Sequence, residues 1–215
     1  MEEVVRQIVF LKPDWIVIFD RVEATREDFT KTWLLHTMNA PLYFADGRWR
    51  EASPGRKILP ASGPVKFRSG TGRMTVWPLL PERRKVRVVG GKGYQWWVDR
   101  MPGGRGANLP PEHGHDEVGS WRMEISPRTA ARRDYFLTVI HAGLAKDKTS
   151  CDRAVIDVQQ DQTAVQLTMS FASGDPAASM RFSLRGSVTA VINCDGRDVR
   201  YEASEPGRVP TRPKS

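Results

Sequence analysis

Residues 4–22 read VVRQIVFLKPDWIVIFDRV, and this stretch decides the fold class. Two apolar segments rich in β-branched residues, Val4–Phe10 and Trp15–Val22, flank the sequence Lys12-Pro13-Asp14. Proline presets one backbone dihedral and aspartate bonds to nearby backbone groups, so a tight chain reversal is favoured between the segments. The stretch therefore predicts an antiparallel β-hairpin.

Strand-like runs continue through the rest of the chain, separated by turn signals such as Asp46-Gly47 and Gly90-Gly91. No window longer than about ten residues keeps the apolar spacing of a helix. We expect an all-β fold, a large antiparallel β-sandwich of about a dozen strands. The further predicted strands are Lys31–Thr37, Val65–Phe67, Arg73–Leu79, Lys85–Val89, Tyr94–Val98, Trp121–Ile125, Tyr135–His141, Arg153–Val158, Ala164–Phe171, Ser179–Leu184, Val188–Asn193 and Asp198–Tyr201.

The length of 215 residues fits one such sandwich, and we assign residues 1–204 to a single domain. Residues 205–215, EPGRVPTRPKS, carry almost no apolar surface and are expected to be disordered. No apolar run reaches the roughly 18 residues of a membrane span, so no membrane partner is expected. Two cysteines, Cys151 and Cys194, could form one disulfide in an oxidising compartment but are too few for a disulfide framework, and free or buried thiols are the favoured interpretation.

The chain carries 33 Lys and Arg against 25 Asp and Glu, a net charge of +8. This balance favours polyanionic partners such as an acidic glycan, an anionic lipid or a nucleic acid. The basic residues are dispersed, with acids between most of them, which is equally typical of a solvated surface. Because no concentrated phosphate-binding arm is present, no nucleic-acid partner is expected, and a nucleic-acid-binding protein stays a competing interpretation.

The segment Met101–Gly119, MPGGRGANLPPEHGHDEVG, has no strand or helix pattern and exceeds the roughly 12–15 residues of an ordinary loop. It is the best local candidate for contact with a ligand. Within it, His113 and His115 stand beside two carboxylates and offer ligands to a divalent metal, or form a solvated polar loop.

Trp96 and Trp97 are consecutive, so in a strand one ring faces the core and the other faces outward. An outward indole offers a flat apolar surface to a sugar ring, while Arg100 and Arg105 offer partners for carboxylates. The alternative is that either ring covers the rim of a sheet. His36 alternates with Leu35 and is expected on the opposite face, as a glycan contact or a structural histidine.

The ordered series of these segments resembles the β-sandwich of heparinase II/III-like polysaccharide lyases. The likeness is carried by RQIVFLKPDWIVIFDRV at 6–22, KTWLLHT at 31–37, YQWWV at 94–98, GSWRMEISP at 119–127 and DYFL at 134–137. The resemblance implies a partner domain, an N-terminal helical toroid, and β-elimination on a uronic-acid-containing polysaccharide. In that reaction a base removes the proton next to the carboxylate while neighbouring groups stabilise the developing charge.

The catalytic Tyr, His and Asn or Glu that the resemblance implies belong mainly to the toroid, and its zinc site belongs to a segment expected before Met1. No catalytic residue, metal ligand or cofactor is therefore assigned to this chain. Its expected role is to support the toroid and line the substrate cleft, with the substrate-binding candidates Trp96, Trp97, Arg100, Arg105, His113 and His115. A periplasmic or secreted location follows from the resemblance alone. The alternative function is a non-catalytic carbohydrate-binding or structural β-module.

Overall fold

The computed structural model describes residues 1–112, 119–145, 154–170, 178–194 and 197–203. These residues form eighteen strands and no helix, which confirms the all-β prediction. The strand count exceeds the expected dozen because four short strands, at Leu42–Ala45, Arg48–Glu51, Gly55–Leu59 and Ala107–Asn108, lie where the sequence pattern predicts no strand. The strands are β1 (Glu3–Leu11), β2 (Trp15–Glu23), β3 (Trp33–Thr37), β4 (Leu42–Ala45), β5 (Arg48–Glu51), β6 (Gly55–Leu59), β7 (Val65–Ser69), β8 (Gly72–Leu80), β9 (Arg84–Gly90), β10 (Trp97–Val98), β11 (Ala107–Asn108), β12 (Trp121–Pro127), β13 (Arg133–Leu144), β14 (Val155–Gln160), β15 (Ala164–Ser170), β16 (Ala178–Ser183), β17 (Val188–Cys194) and β18 (Arg197–Ala203).

The chain divides into two compact units, Met1–Asp147 and Lys148–Ser215, which are described separately. The assignment of residues 1–204 to one domain stays a prediction. The expected disordered tail, 205–215, lies outside the described residues, as does Cys151.

The first unit contains a seven-stranded sheet in the order β1-β2-β13-β8-β7-β4-β5 and a four-stranded sheet in the order β3-β12-β9-β6. The predicted hairpin of β1 and β2 is confirmed: Val4 lies opposite Val22, and Leu11 lies opposite Trp15. A small ribbon of β10 and β11 follows β9 in the chain.

One hydrophobic core joins the two sheets of the first unit. The four-stranded sheet contributes Trp33, Val88 and Met123, and the seven-stranded sheet contributes Val76 and Phe136. These side chains alternate with outward ones because the side chains of a strand point to opposite faces in turn. The two sheets therefore pack as a β-sandwich. The outer face of the four-stranded sheet carries charged side chains together with the exposed apolar residues Leu34 and Ile58.

The second unit holds a five-stranded antiparallel meander in the order β14-β15-β16-β17-β18. Val165, Leu167 and Met169 alternate along β15 and are all fully buried. The turn before β15 is held by Asp161, whose carboxylate accepts hydrogen bonds from the backbone N–H groups of Thr163 and Ala164. Together with the bond from the Thr163 hydroxyl, these bonds hold the pKa of Asp161 well below its ordinary value.

Met123 provides a test of the sandwich core. Its side chain is 1% exposed at the centre of β12, so Met123→Ala removes buried apolar atoms and leaves a cavity. We expect the free energy of unfolding of the first unit to fall by about 2–5 kcal/mol. All seven tryptophans lie in that unit, so urea unfolding followed by tryptophan fluorescence measures it selectively.

The matched control is Ile58→Ala on β6, the edge strand of the same sheet, where the side chain is 57% exposed. It should change the stability by less than about 0.5 kcal/mol. Equal losses for the two variants would contradict the assignment of Met123 to the core.

Candidate functional site

The outer face of the four-stranded sheet carries a row of charged side chains that follows from strand alternation. On β12, Met123 and Ile125 point into the core, so Arg122 and Glu124 point outward. On β9, the buried Val86 and Val88 likewise leave Arg87 outside. The register of the two strands sets Glu124 directly opposite Arg87.

Five charged side chains on this face form one alternating chain, which we call the arginine network: Arg122, Glu124, Arg87, Asp99 and Arg56. Glu124 accepts hydrogen bonds from Arg122 Nε at 2.7 Å and from Arg87 Nε at 2.5 Å. Asp99 accepts a hydrogen bond from Arg87 Nη2 and lies 3.4 Å from Arg56 Nη1. Three guanidinium groups against two carboxylates leave one net positive charge.

The network fixes the charge state of its members. The hydrogen bond from Arg87 is the main cause that lowers the pKa of Asp99 below its ordinary value. Burial lowers the pKa of Arg87, but its hydrogen bonds to Glu124 and Asp99 raise that pKa by more, so the net shift is upward. Asp99 and Arg87 therefore both stay charged at neutral pH.

A glycine-rich turn brings Trp97 to the network. Gly91 and Gly93 have positive φ values of 75° and 82°, and Tyr94 N–H donates to the Gly91 carbonyl at 2.8 Å. These left-handed residues end the extended backbone, so the predicted strand Tyr94–Val98 is wrong over its first three residues. Only Trp97–Val98 forms a strand, β10, which pairs with β11.

Trp97 packs into the exposed end of the network. Its indole N–H donates to Asp99 Oδ1 at 3.1 Å, and the Arg56 guanidinium lies 5.1 Å from the ring centroid. The Tyr94 ring lies 4.8 Å away at an angle of 38°. Arg122 Nη1 donates to the Trp97 carbonyl at 3.1 Å, so the backbone here is also tied to the network.

Trp96 stands next to this cluster in the sequence but lies in the turn rather than in a strand. Asn108 of β11 accepts a hydrogen bond from its backbone N–H at 2.9 Å. Trp96 and Trp97 are both partly buried, and neither belongs to the core between the two sheets. The indole N–H of Trp96 is buried and has no acceptor among the described residues.

The remaining site candidates separate into two groups. Arg100 and Arg105 are exposed and belong to a tight turn in which Met101 N–H donates to the Arg105 carbonyl at 2.9 Å. His113 and His115 lie outside the described residues. The structure thus brings Trp97 to the arginine network and sets Arg100 one residue beyond Asp99.

The two histidines of the strands have different environments. His36 lies on the outer face beside Arg122 and is exposed, as the alternation with Leu35 predicts. His141 is buried on the seven-stranded sheet, with Nε2 2.9 Å from Asp14 Oδ2 and its ring 4.6 Å from Trp15. His141 therefore packs within the fold.

Sequence reasoning missed the arginine network itself. The signal was present in Arg122-x-Glu124 and Lys85-x-Arg87, where charges alternate with core residues and so share one face. What the pattern does not contain is the register that pairs β12 with β9, or the turn that returns Asp99 to Arg56 across 43 residues of chain.

No protein-family model matches the chain, and no curated protein matches it. The likeness to heparinase II/III-type lyases therefore stays a prediction resting on residues 6–141.

Within the described residues, no three His, Cys, Asp or Glu side chains lie close enough together to hold a metal ion. In the same part of the chain, no helix is long and apolar enough to cross a membrane.

Glu124 provides a test of the network. Glu124→Gln removes the charge that binds two guanidinium groups, and the side chain is only 9% exposed. We expect the first unit to lose about 1–3 kcal/mol of unfolding free energy, measured by urea titration with tryptophan fluorescence.

Asp28→Asn is the matched control, because Asp28 pairs with Arg26 where both side chains are more than half exposed. Its cost should stay within about 1 kcal/mol. If the two variants lose the same stability, Glu124 does not hold the arginines in place.

Proposed function

We propose that the chain is the β-sandwich portion of a heparinase II/III-type polysaccharide lyase and that the arginine network with Trp97 holds its acidic glycan. The observation that carries the proposal is the joining of three arginines to an aromatic pair on one exposed sheet face. The resemblance of residues 6–141 supports it independently. A periplasmic or secreted location belongs to the same proposal.

The network suits an acidic polysaccharide for two physical reasons. A guanidinium group binds a carboxylate or a sulfate through two parallel N–H donors, and it remains charged at every physiological pH. An aromatic ring packs against the apolar C–H surface of a pyranose and needs no charge to do so. Arg56 is 49% exposed beside Trp97, so both kinds of contact are offered at one place.

A ligand loses less binding free energy to side-chain ordering when the arginines that bind it are already held in place. A long arginine side chain loses rotamer freedom when it is immobilised by a ligand, at about 0.5–1.5 kcal/mol each. Glu124 already holds Arg87 and Arg122, so these side chains lose their rotamer freedom when the chain folds and not when a ligand binds. Their unused N–H donors are then presented in fixed directions.

The chemical step is proposed to lie with the toroid that the resemblance implies. In β-elimination a base removes the proton on the carbon next to the carboxylate, and the freed electron pair forms a double bond to the adjacent carbon. The bond from that carbon to the glycosidic oxygen breaks, and the leaving oxygen takes up a proton from a general acid. The sandwich contributes by holding the polysaccharide through its carboxylates during the elimination. The competing function, a carbohydrate-binding module without a catalytic partner, uses the same face.

Arg56 tests the glycan contact. We expect Arg56→Ala to weaken binding to heparin, heparan sulfate, alginate or hyaluronan by about tenfold, because a charge-assisted hydrogen bond is lost. Isothermal titration calorimetry at two salt concentrations measures the affinity and its ionic component.

The control is Arg26→Ala, since Arg26 also pairs with a carboxylate, Asp28, and also lies over an aromatic ring, Phe29 at 5.4 Å. Its affinity should equal that of the unmodified protein. Equal weakening by both variants would show that binding depends on the overall positive charge and not on the site at Arg56. Tighter binding to duplex DNA than to any glycan would favour the nucleic-acid reading instead.

A second test concerns catalysis. Incubated alone with the same four polysaccharides, the purified chain should generate no ultraviolet absorbance from unsaturated uronate. A rise in absorbance on any of them would show that these 215 residues contain a working base, against the proposed division of labour.

A further inference from the structure

A polar cavity of about 270 Å³ opens on the same outer face, next to the arginine network. Its polar lining consists of Thr30, Thr32, Lys85, Arg87, Glu124 and Ser126. Lys85 lies opposite Ser126, and Arg87 lies opposite Glu124, so two cross-strand pairs of β9 and β12 form its floor. The sequence pattern alone predicts none of these residues as part of a site.

The fold accounts for the cavity. Lys85 and Arg87 are two residues apart on β9, which spaces their Cα atoms by roughly 7 Å along one face. Thr32, just before β3, extends the row across the sheet, with its hydroxyl 3.0 Å from that of Ser126. Lys85 and Thr32 are exposed at the mouth, whereas Glu124 is buried.

The lining selects for a ligand that carries both a negative charge and hydroxyl groups. Lys85 and Arg87 are donors only and attract an anionic group. Glu124 is an acceptor with about four lone-pair sites, of which Arg87 and Arg122 use two. An anionic group is disfavoured directly beside Glu124 and favoured at Lys85, whereas a sugar hydroxyl can donate a hydrogen bond to the Glu124 carboxylate. The threonine and serine hydroxyls both donate and accept.

We propose that this cavity is a subsite for the carboxylate-bearing ring of an acidic glycan, with the carboxylate at Lys85 and ring hydroxyls at Thr32, Ser126 and Glu124. The inference rests on the proposed function, since it names the sugar class that the outer face takes. It also predicts the path of the polysaccharide across the outer face. Arg87 lines the cavity and bonds to Asp99, so the neighbouring sugar lies toward Trp97.

Two substitutions on the rim of the cavity test the subsite without entering the arginine network. Lys85→Ala removes the exposed cation, and Thr32→Val removes a hydroxyl with almost no change of shape. With an unsulfated hyaluronan oligosaccharide, we expect Lys85→Ala to weaken binding about tenfold and Thr32→Val about threefold. Thr32→Ser keeps the hydroxyl and should bind as the unmodified protein does.

Controls separate the subsite from general charge and identify the anionic group. Lys12→Ala removes an exposed lysine from the β1–β2 turn and should leave the affinity unchanged. A neutral chitin oligosaccharide of the same length should bind weakly and respond to neither Lys85→Ala nor Lys12→Ala. If heparin but not hyaluronan responds to Lys85→Ala, the cavity takes a sulfate and the assignment of a carboxylate is wrong.

The outcomes distinguish this inference from the proposed function. Binding that is weakened by Arg56→Ala but unchanged by Lys85→Ala and Thr32→Val would overturn the subsite while leaving glycan binding at Trp97. No binding of any acidic oligosaccharide by the unmodified protein would overturn both. Weakening by both rim variants, with recovery in Thr32→Ser, supports the subsite.

Discussion

Glu124 links the outer face of the four-stranded sheet to its core. Its neighbours on β12, Met123 and Ile125, are buried between the sheets and fix the strand, so the carboxylate emerges at one defined position. There it binds Arg122 from its own strand and Arg87 from the next. The placement of the guanidinium groups therefore depends on the packing of the apolar residues behind them.

The arginine network orders its side chains but adds little to the free energy of folding. Taking a carboxylate out of water is costly, and its attraction to partly buried arginines roughly offsets that cost. Removing one partner is different, since it leaves the other charges without compensation. The network is accordingly a small net contributor to folding and a strong constraint on where the arginine side chains point. Such a constraint suits a surface that recognises fixed anionic groups.

The sequence predicts the fold better than the site, for a reason visible in particular residues. The hairpin of residues 4–22 and the strand Trp121–Ile125 follow from local alternation, which a single sequence contains. The turn signal at Gly90-Gly91 is correct, but the turn extends through Trp96, because Gly93 also takes a left-handed conformation and overrides the strand preference of residues 94–96. Asp99, far from Arg56 in the chain, joins the site only through the tertiary fold. The cavity requires strand register, which no local pattern supplies.

The interleaving of acids and bases bears on the kind of polyanion that fits. Duplex DNA carries one charge per roughly 1.7 Å of helix axis when both strands are counted, so a duplex laid along the network would bring phosphates against Asp99 and Glu124 as well as against the arginines. A polysaccharide with widely spaced carboxylates meets cations at intervals and presents hydroxyl donors between them. Those donors are what the two acidic side chains need. The alternation of charge that weakens the case for nucleic acid therefore supports an acidic glycan, although the chain's net charge of +8 alone favours both equally.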